Sequence, residues 1–248
     1  MLPQQILKKR NDGFEAIILA GGRGSRLSPL TDSCPKPLLR VKDRLILEHI
    51  INEVSSSGIS DITIATKYLS NQIHQHFSDK YRCVETPFET MIESFIHACS
   101  FSTKENLLCL SADTLLTKYS LIYSLDNHSR VGSDITLTLS ETDRSRKKWA
   151  YIINNDGFLQ DLSIGESDNN LERSGLVISR YIIDSLKDSI EKYDRNYLGF
   201  GSGWNLILRM MLDKGKKIYT SKKNFPIFNI NTPTDLQEAE LFVNENLK

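Results

Sequence analysis

Three glycines and three cations lie close together near the start of the chain: Gly21, Gly22 and Gly24 are interleaved with Arg23 and Arg26 and followed by Lys36. Backbone without a Cβ can take positive φ and bring its N–H groups against a phosphate. The cations add charge for that phosphate, opposed locally only by Asp32. The stretch directly follows Phe14–Ala20, a short apolar run whose composition predicts a strand buried on both faces. Open α/β sheets bind ligands at the carboxyl ends of such strands, so the segment reads as a cradle for a triphosphate. It is neither of two commoner glycine loops. G-x-x-x-x-G-K-[ST] is absent, and G-x-G-x-x-G fails because Leu27 stands where its last glycine would be. For the glycines taken alone, a tight turn with exposed basic side chains is the competing reading.

The longer string separates the two readings. It runs Leu19-Ala20-Gly21-Gly22-Arg23-Gly24-Ser25-Arg26-Leu27-Ser28-Pro29-Leu30-Thr31 and, after a short gap, Pro35-Lys36-Pro37-Leu38. This resembles the signature of the sugar-1-phosphate nucleotidylyltransferase family, L-A-G-G-x-G-[ST]-R-L-x-P-L-T followed by P-K-P-L, at every fixed position. Weaker likeness continues in residues 46–50 and 65–68, and in Leu110-Ser111-Ala112-Asp113, where the family ends a strand in N-G-D. The resemblance implies transfer of a nucleotidyl group from an NTP to a sugar 1-phosphate, with release of pyrophosphate. It implies that Leu19, Ala20, Gly21, Gly22, Gly24, Ser25 and Arg26 hold the nucleotide and that Arg26, Lys36 and Asp113 carry catalysis. Its cofactor is Mg2+, assigned to Asp113 and to the position of a second carboxylate, here Asn229. A strand-end carboxylate suits that ion, which prefers hard oxygen ligands and keeps waters and substrate phosphates. Asp113 read without the resemblance is equally a capping residue for the next helix.

Three segments depart from the family pattern. Where the last strand of the family reads D-[IV]-G-T-P, this chain reads Asn229-Ile230-Asn231-Thr232-Pro233, and an amide brings no negative charge to a metal. The N-I-N-T-P version is also similar to molybdenum cofactor guanylyltransferases, so cytidylyl or guanylyl transfer to a non-sugar phosphorylated acceptor is the alternative. Residues 85–94 replace an L-G-T-A-x-[AS] segment with bulkier side chains, Phe88, Glu89 and Met91 among them, and leave the base open. Glu166 and the Ser174-Gly175 pair resemble the family's E-K and N-A-G sugar-contacting segments, with Ser167 in place of the lysine. The departures at Asn229 and 85–94 also suit a nucleotide-binding regulatory subunit with weak turnover, which intact Arg26, Lys36 and Asp113 argue against.

Periodicity supplies the elements that must position these residues. After the first strand, helical spacing at 45–54 and 69–77 alternates with strands at 61–66 and 82–85, followed by a helix at 89–100 and a strand at 106–110. That alternation predicts an α/β fold with a doubly wound, Rossmann-like, mixed but mostly parallel sheet. Beyond about residue 134 the pattern turns β-rich, with strands at 134–140, 149–153 and 158–164, the last two joined through Asn154-Asn155-Asp156-Gly157. A strand at 171–179, helices at 181–190 and 204–212, short strands near Lys217 and Ile227 and a helix at 234–243 follow. The expected organisation is one domain over 1–248, with a nucleotide-binding half to about residue 133 and a β-rich, sugar-binding elaboration after it.

Composition narrows the partners. Among 248 residues, 31 Lys and Arg balance 31 Asp and Glu, so no net field draws the chain to nucleic acid or an anionic membrane. No run approaches the roughly 18 apolar residues of a membrane span, and no signal peptide pattern is read at the N-terminus, so a cytoplasmic location is expected. Cys34, Cys83, Cys99 and Cys109 show no C-x-x-C spacing and are expected as free thiols. The expected partners are the NTP and the sugar 1-phosphate, with homo-oligomerisation left open.

Overall fold

A computed structural model describes residues 11–141, 149–164, 171–192 and 203–247. In chain order the elements are β1 (Phe14–Ala20), the short hairpin β2 (Arg40–Val41) and β3 (Arg44–Leu45), α1 (Ile46–Ser56), β4 (Asp61–Thr66), α2 (Ser70–Phe77), β5 (Arg82–Glu85) and α3 (Met91–Cys99). Next come β6 (Asn106–Ser111), β7 (Thr114–Leu116), α4 (Lys118–Val131), β8 (Ile135–Glu141), β9 (Trp149–Ile153) and β10 (Leu159–Ile164). The chain continues through β11 (Leu171–Ser179), α5 (Ile182–Lys192), α6 (Trp204–Asp213), β12 (Ile218–Lys222), β13 (Ile227–Asn229) and α7 (Pro233–Asn246).

Seven strands form one sheet in the order β12-β8-β11-β6-β1-β4-β5. Every neighbouring pair is parallel except those made by β11, which runs antiparallel to both β6 and β8. This is the mixed, mostly parallel sheet expected from the alternation of elements. Ala16, Ile18 and Ala20 of β1 face α1, α2, α4 and α7, whereas Ile17 faces α3, α5 and α6. Burial of each large aliphatic side chain contributes about 1.5–3 kcal/mol, so a strand covered on both faces is among the most strongly anchored elements of the fold. Its one acid, Glu15, is buried and satisfied by the Thr63 hydroxyl (2.5 Å) and the Arg82 guanidinium (3.2 Å).

The helix α4 has no counterpart in the periodic pattern, and its contacts explain why. Its buried residues include Ser120, Ser124 and His128, spaced four apart, beside Leu121 and Leu125, and the partners of Ser124 and His128 on β8 are also polar. Ser124 shares a hydrogen bond with Thr138 (2.8 Å), and His128 Nδ1 lies 3.0 Å from the Thr136 hydroxyl. A buried face on which Leu121 and Leu125 are outnumbered by hydroxyls, an amide and an imidazole carries a weak hydrophobic signature. The helix start is fixed from elsewhere. The Thr117 hydroxyl accepts from the Ser120 N–H, and the Glu53 carboxylate of α1 accepts from the Lys118 N–H at 2.6 Å. Burial pushes the Glu53 carboxyl up, while that N–H bond pulls it back.

On β11 the chain bulges between Arg173 and Gly175. A Cβ on Gly175 would stand 1.9 Å from Ser124 Oγ and 2.9 Å from Ser124 Cβ, so the approach of α4 accounts for the glycine. Ser174 is fully buried, with its hydroxyl donating to the Thr138 carbonyl at 3.4 Å. All four cysteines are free, and among the described residues no helix is long and apolar enough to cross a membrane.

Two outcomes follow from the α4 interface. Gly175→Ala is expected to lower stability by about 1–3 kcal/mol in urea unfolding, because Ser124 cannot rotate away without losing its hydrogen bonds. Burial lowers the His128 pKa to about 4, against about 6.5 unfolded, so between these values the unfolded chain binds the extra proton. Stability should therefore be intact above pH 6.5 and fall by up to about 3 kcal/mol as pH drops toward 4, read from urea midpoints across that window.

Candidate active site

Parallel pairing sets Leu19 of β1 opposite Ala65 of β4 and Ser111 of β6, so all three strands end at the same level. The loops that follow them are forced together. After β1 the chain passes Gly21 and Gly22 to Gly24, which has φ 67°, and enters a short 3-10 turn, Ser25–Leu27, pinned by the fully buried Leu27. Gly24 is required twice over: its φ is left-handed, and a Cβ would meet Lys36 Cβ at 3.1 Å and Thr31 Cγ2 at 3.3 Å. The Thr31 hydroxyl donates to the Gly24 carbonyl (2.9 Å), and a second 3-10 turn, Lys36–Leu38, brings Lys36 back beside Gly24.

The exit of β4 clamps this loop. The Tyr68 hydroxyl lies 3.0 Å from the carbonyl oxygens of both Thr31 and Asp32, and Gln72 Nε2 donates to the Ser33 carbonyl at 2.9 Å. The Arg23 guanidinium packs over the Tyr68 ring, 5.5 Å from its centre. Lys67 reaches the other way, to the Glu89 carboxylate (2.7 Å) and the Phe88 carbonyl (3.0 Å), and so ties the segment after β5 to the loop.

Lys36 is buried, and its Nζ lies 2.9 Å from Asp113 Oδ2 at the end of β6. The β7–β13 ladder sets Asn229 opposite Thr114, whose hydroxyl donates to Asn229 Oδ1 at 2.5 Å and also lies 3.2 Å from Asp113 Oδ1. Asp113 does not cap the following helix; Thr117 does. Among the described residues no group of three or more His, Cys, Asp or Glu could hold a metal. One carboxylate and one amide oxygen, joined through Thr114, suit a divalent ion that arrives with phosphate oxygens and keeps its waters.

Lys36 and Asp113, but not Thr114 or Asn229, border a cavity of about 250 Å³. Leu19, Ala20, Gly21, Gly22, Lys36, Ser111 and Asp113 line one side, and Thr86, Phe88, Glu89, Met91 and Ser94 the other. Gly24, Ser25 and Arg26 stand beside the lining, in the turn that carries Arg26, whose guanidinium donates to Asn231 Oδ1 at 2.8 Å. Sequence pattern did not single out Asn231 as a site residue. Its signal was an asparagine where the family motif has glycine. Trp204 was also missed: its indole N–H donates to the Ser111 hydroxyl (3.0 Å), with Phe95 and Arg173 packed on its ring. Nothing near it in sequence marks that contact. Ser174 and Gly175, expected at the sugar, are not brought to the cavity; they pack into the β8–β11 ladder and against α4. Glu166 lies outside the described residues.

A doubly wound sheet that gathers arginine, lysine and a carboxylate at the carboxyl ends of β1 and β6 defines a nucleotide-handling α/β protein. The family model for nucleotidyl transferases matches residues 15–157, and the chain belongs to that family. It is 26% identical over 241 residues to the bifunctional protein GlmU of Methanococcus aeolicus, covering 95% of this chain and 56% of that protein. It is 27% identical over 132 residues to D-glycero-alpha-D-manno-heptose 1-phosphate guanylyltransferase of Aneurinibacillus thermoaerophilus, covering 51% of this chain and 57% of that protein. The chain thus spans little more than half the length of these relatives. The inositol-1-phosphate CTP transferase from T. maritima shares the fold, with a TM-score of 0.72 and 15% identity over 93% of this chain and 95% of that one.

Tyr68→Phe keeps the ring under Arg23 and removes the hydroxyl. It is expected to cost about 1 kcal/mol of stability and to speed amide exchange in residues 24–33 selectively, as read by hydrogen-exchange mass spectrometry.

Proposed function

We propose that this chain joins a nucleoside triphosphate to a sugar 1-phosphate, giving a nucleotide sugar and pyrophosphate. The observation that carries the reading is the meeting of Arg26, Lys36 and Asp113 beside a cavity lined by Leu19 to Gly22. Residues up to about 133 supply the nucleotide side and those after it the acceptor side.

In the reaction an oxygen of the acceptor phosphate attacks the α-phosphorus in line. The bond from that phosphorus to the α,β-bridging oxygen breaks, and its electron pair leaves with pyrophosphate. Positioning and charge stabilisation do most of the work in such transfers, and no enzyme-bound intermediate is required. The backbone of Gly21 to Ser25 cradles the triphosphate. Arg26 faces the charge that builds on the leaving pyrophosphate, and Lys36 holds the α-phosphate and the incoming phosphate together. Mg2+ would be held by the Asp113 carboxylate with the Asn229 amide oxygen, and would supply neutralisation of phosphate charge. The segment 85–94, latched by Lys67, walls the part of the cavity where the base would sit.

A second reading, nucleotide binding without turnover, draws on two departures, the amide of Asn229 where a carboxylate is expected and the altered segment 85–94. Transfer to a non-sugar phosphorylated acceptor draws on the same N-I-N-T-P segment. One assay separates all three. Pyrophosphate release should be measured with Mg2+ for each NTP against a panel of sugar 1-phosphates and other phosphorylated alcohols. Release with one pair, reduced at least 100-fold in both Asp113→Ala and Arg26→Ala, is the expected result. Release confined to non-sugar acceptors establishes the alternative. Nucleotide binding with no release from the folded protein establishes the regulatory reading.

A further inference from the structure

We propose that Asn231 is a positioning residue that holds Arg26 and Lys36 ready for the triphosphate, an inference that rests on the nucleotidyl-transfer reading. The Asn231 side-chain oxygen accepts from the Arg26 guanidinium at 2.8 Å and from Lys36 Nζ at 3.4 Å. Two cations from the loop after β1 are thereby gathered on one atom some 200 residues away in sequence. Arg26 is exposed, and among the described residues Asn231 is its sole hydrogen-bonding partner. A long exposed arginine samples many rotamers unless something holds it. The amide supplies that restraint.

The amide itself is held firmly. Immediately before it, the Ile230 N–H donates to the Asp113 carbonyl at 2.9 Å. The Asn231 and Thr232 N–H groups both donate to the Asp235 carboxylate, at 2.9 and 2.8 Å, and Thr232 returns the bond to the Asp235 N–H as the cap of α7. The backbone that carries the side chain is therefore fixed between the turn that presents Asp113 and the start of the last helix.

Its chemistry suits the task. An amide oxygen has two lone pairs and can accept from both cations, yet carries no net charge. Arg26 and Lys36 are aligned without being neutralised, so their field remains for the phosphates. A carboxylate at this position would form ion pairs with both and compete with the ligand. A glycine, which the family pattern has here, could offer neither restraint nor competition.

The test measures binding of each NTP and the corresponding nucleoside monophosphate by calorimetry, with Mg2+ and without acceptor. It compares the wild-type chain with Asn231→Gly and Asn231→Asp. Asn231→Gly is expected to weaken the triphosphate about tenfold and the monophosphate less than twofold, since the cations it frees serve the outer phosphates. Asn231→Asp is expected to weaken the triphosphate further still. Equal losses for the two ligands would show a general structural defect and overturn the proposal, as would triphosphate binding unchanged in either variant. If the folded wild-type chain binds no triphosphate, the nucleotidyl-transfer reading itself fails, and the role of Asn231 with it.

Discussion

Because β1 is paired in parallel with β4 on one side and β6 on the other, and all three stop at one level, the chain leaving each of them must share the same small space. The rest of the site is a consequence of that crowding. Gly24 has to be a glycine because Lys36 and Thr31 close on it, and Tyr68 can clamp the loop only because β4 ends beside β1. Lys36 is pressed into the protein, where a lone ammonium would be costly, and Asp113 at the end of β6 is the charge that makes its burial tolerable. A one-residue slip of β6 would turn Asp113 to the other face and leave Lys36 without its counter-charge.

The electrostatics of the cleft are unbalanced in a useful direction. Arg23, Arg26, Lys36 and Lys67 gather there against Asp113 and Glu89. The amides of Asn229 and Asn231 add acceptors without adding negative charge. An anionic ligand therefore completes the cluster, and the buried Lys36 is the cation whose attraction solvent screens least.

What could be seen in the sequence follows from which interactions are local. The strands β1, β4, β5, β9 and β11 occupy the residues that their apolar patterns mark, because each buries hydrocarbon on a repeating period. The helix α4 shows poorly, because Leu121 and Leu125 share its buried face with Ser124 and His128, which pair with Thr138 and Thr136. Lys36 stood out through the contiguous motif and Asp113 through a weaker, separate likeness at the end of β6, but their ion pair joins positions 77 apart and leaves no local trace. Asn231 was visible as a departure from a pattern and Arg26 as part of a motif, whereas the contact between them, across 205 residues, was not. At the Ser174-Gly175 pair a likeness to a sugar-contacting motif falls on a glycine that the packing of Ser124 also requires, so pattern and packing mark the same position.

The polar seam between α4 and β8 also has a mechanical meaning. Two greasy surfaces can slide past each other by a fraction of a turn at little cost, but hydroxyls and an imidazole that each need one particular mate cannot. His128 engages Thr136 through one ring nitrogen and Asn106, at the start of β6, through the other. The helix is thereby keyed to the start of β6, whose far end leads through Asp113 into β7 and so back to the helix. The seam works as an index pin, setting the depth at which Asp113 is presented to the cleft.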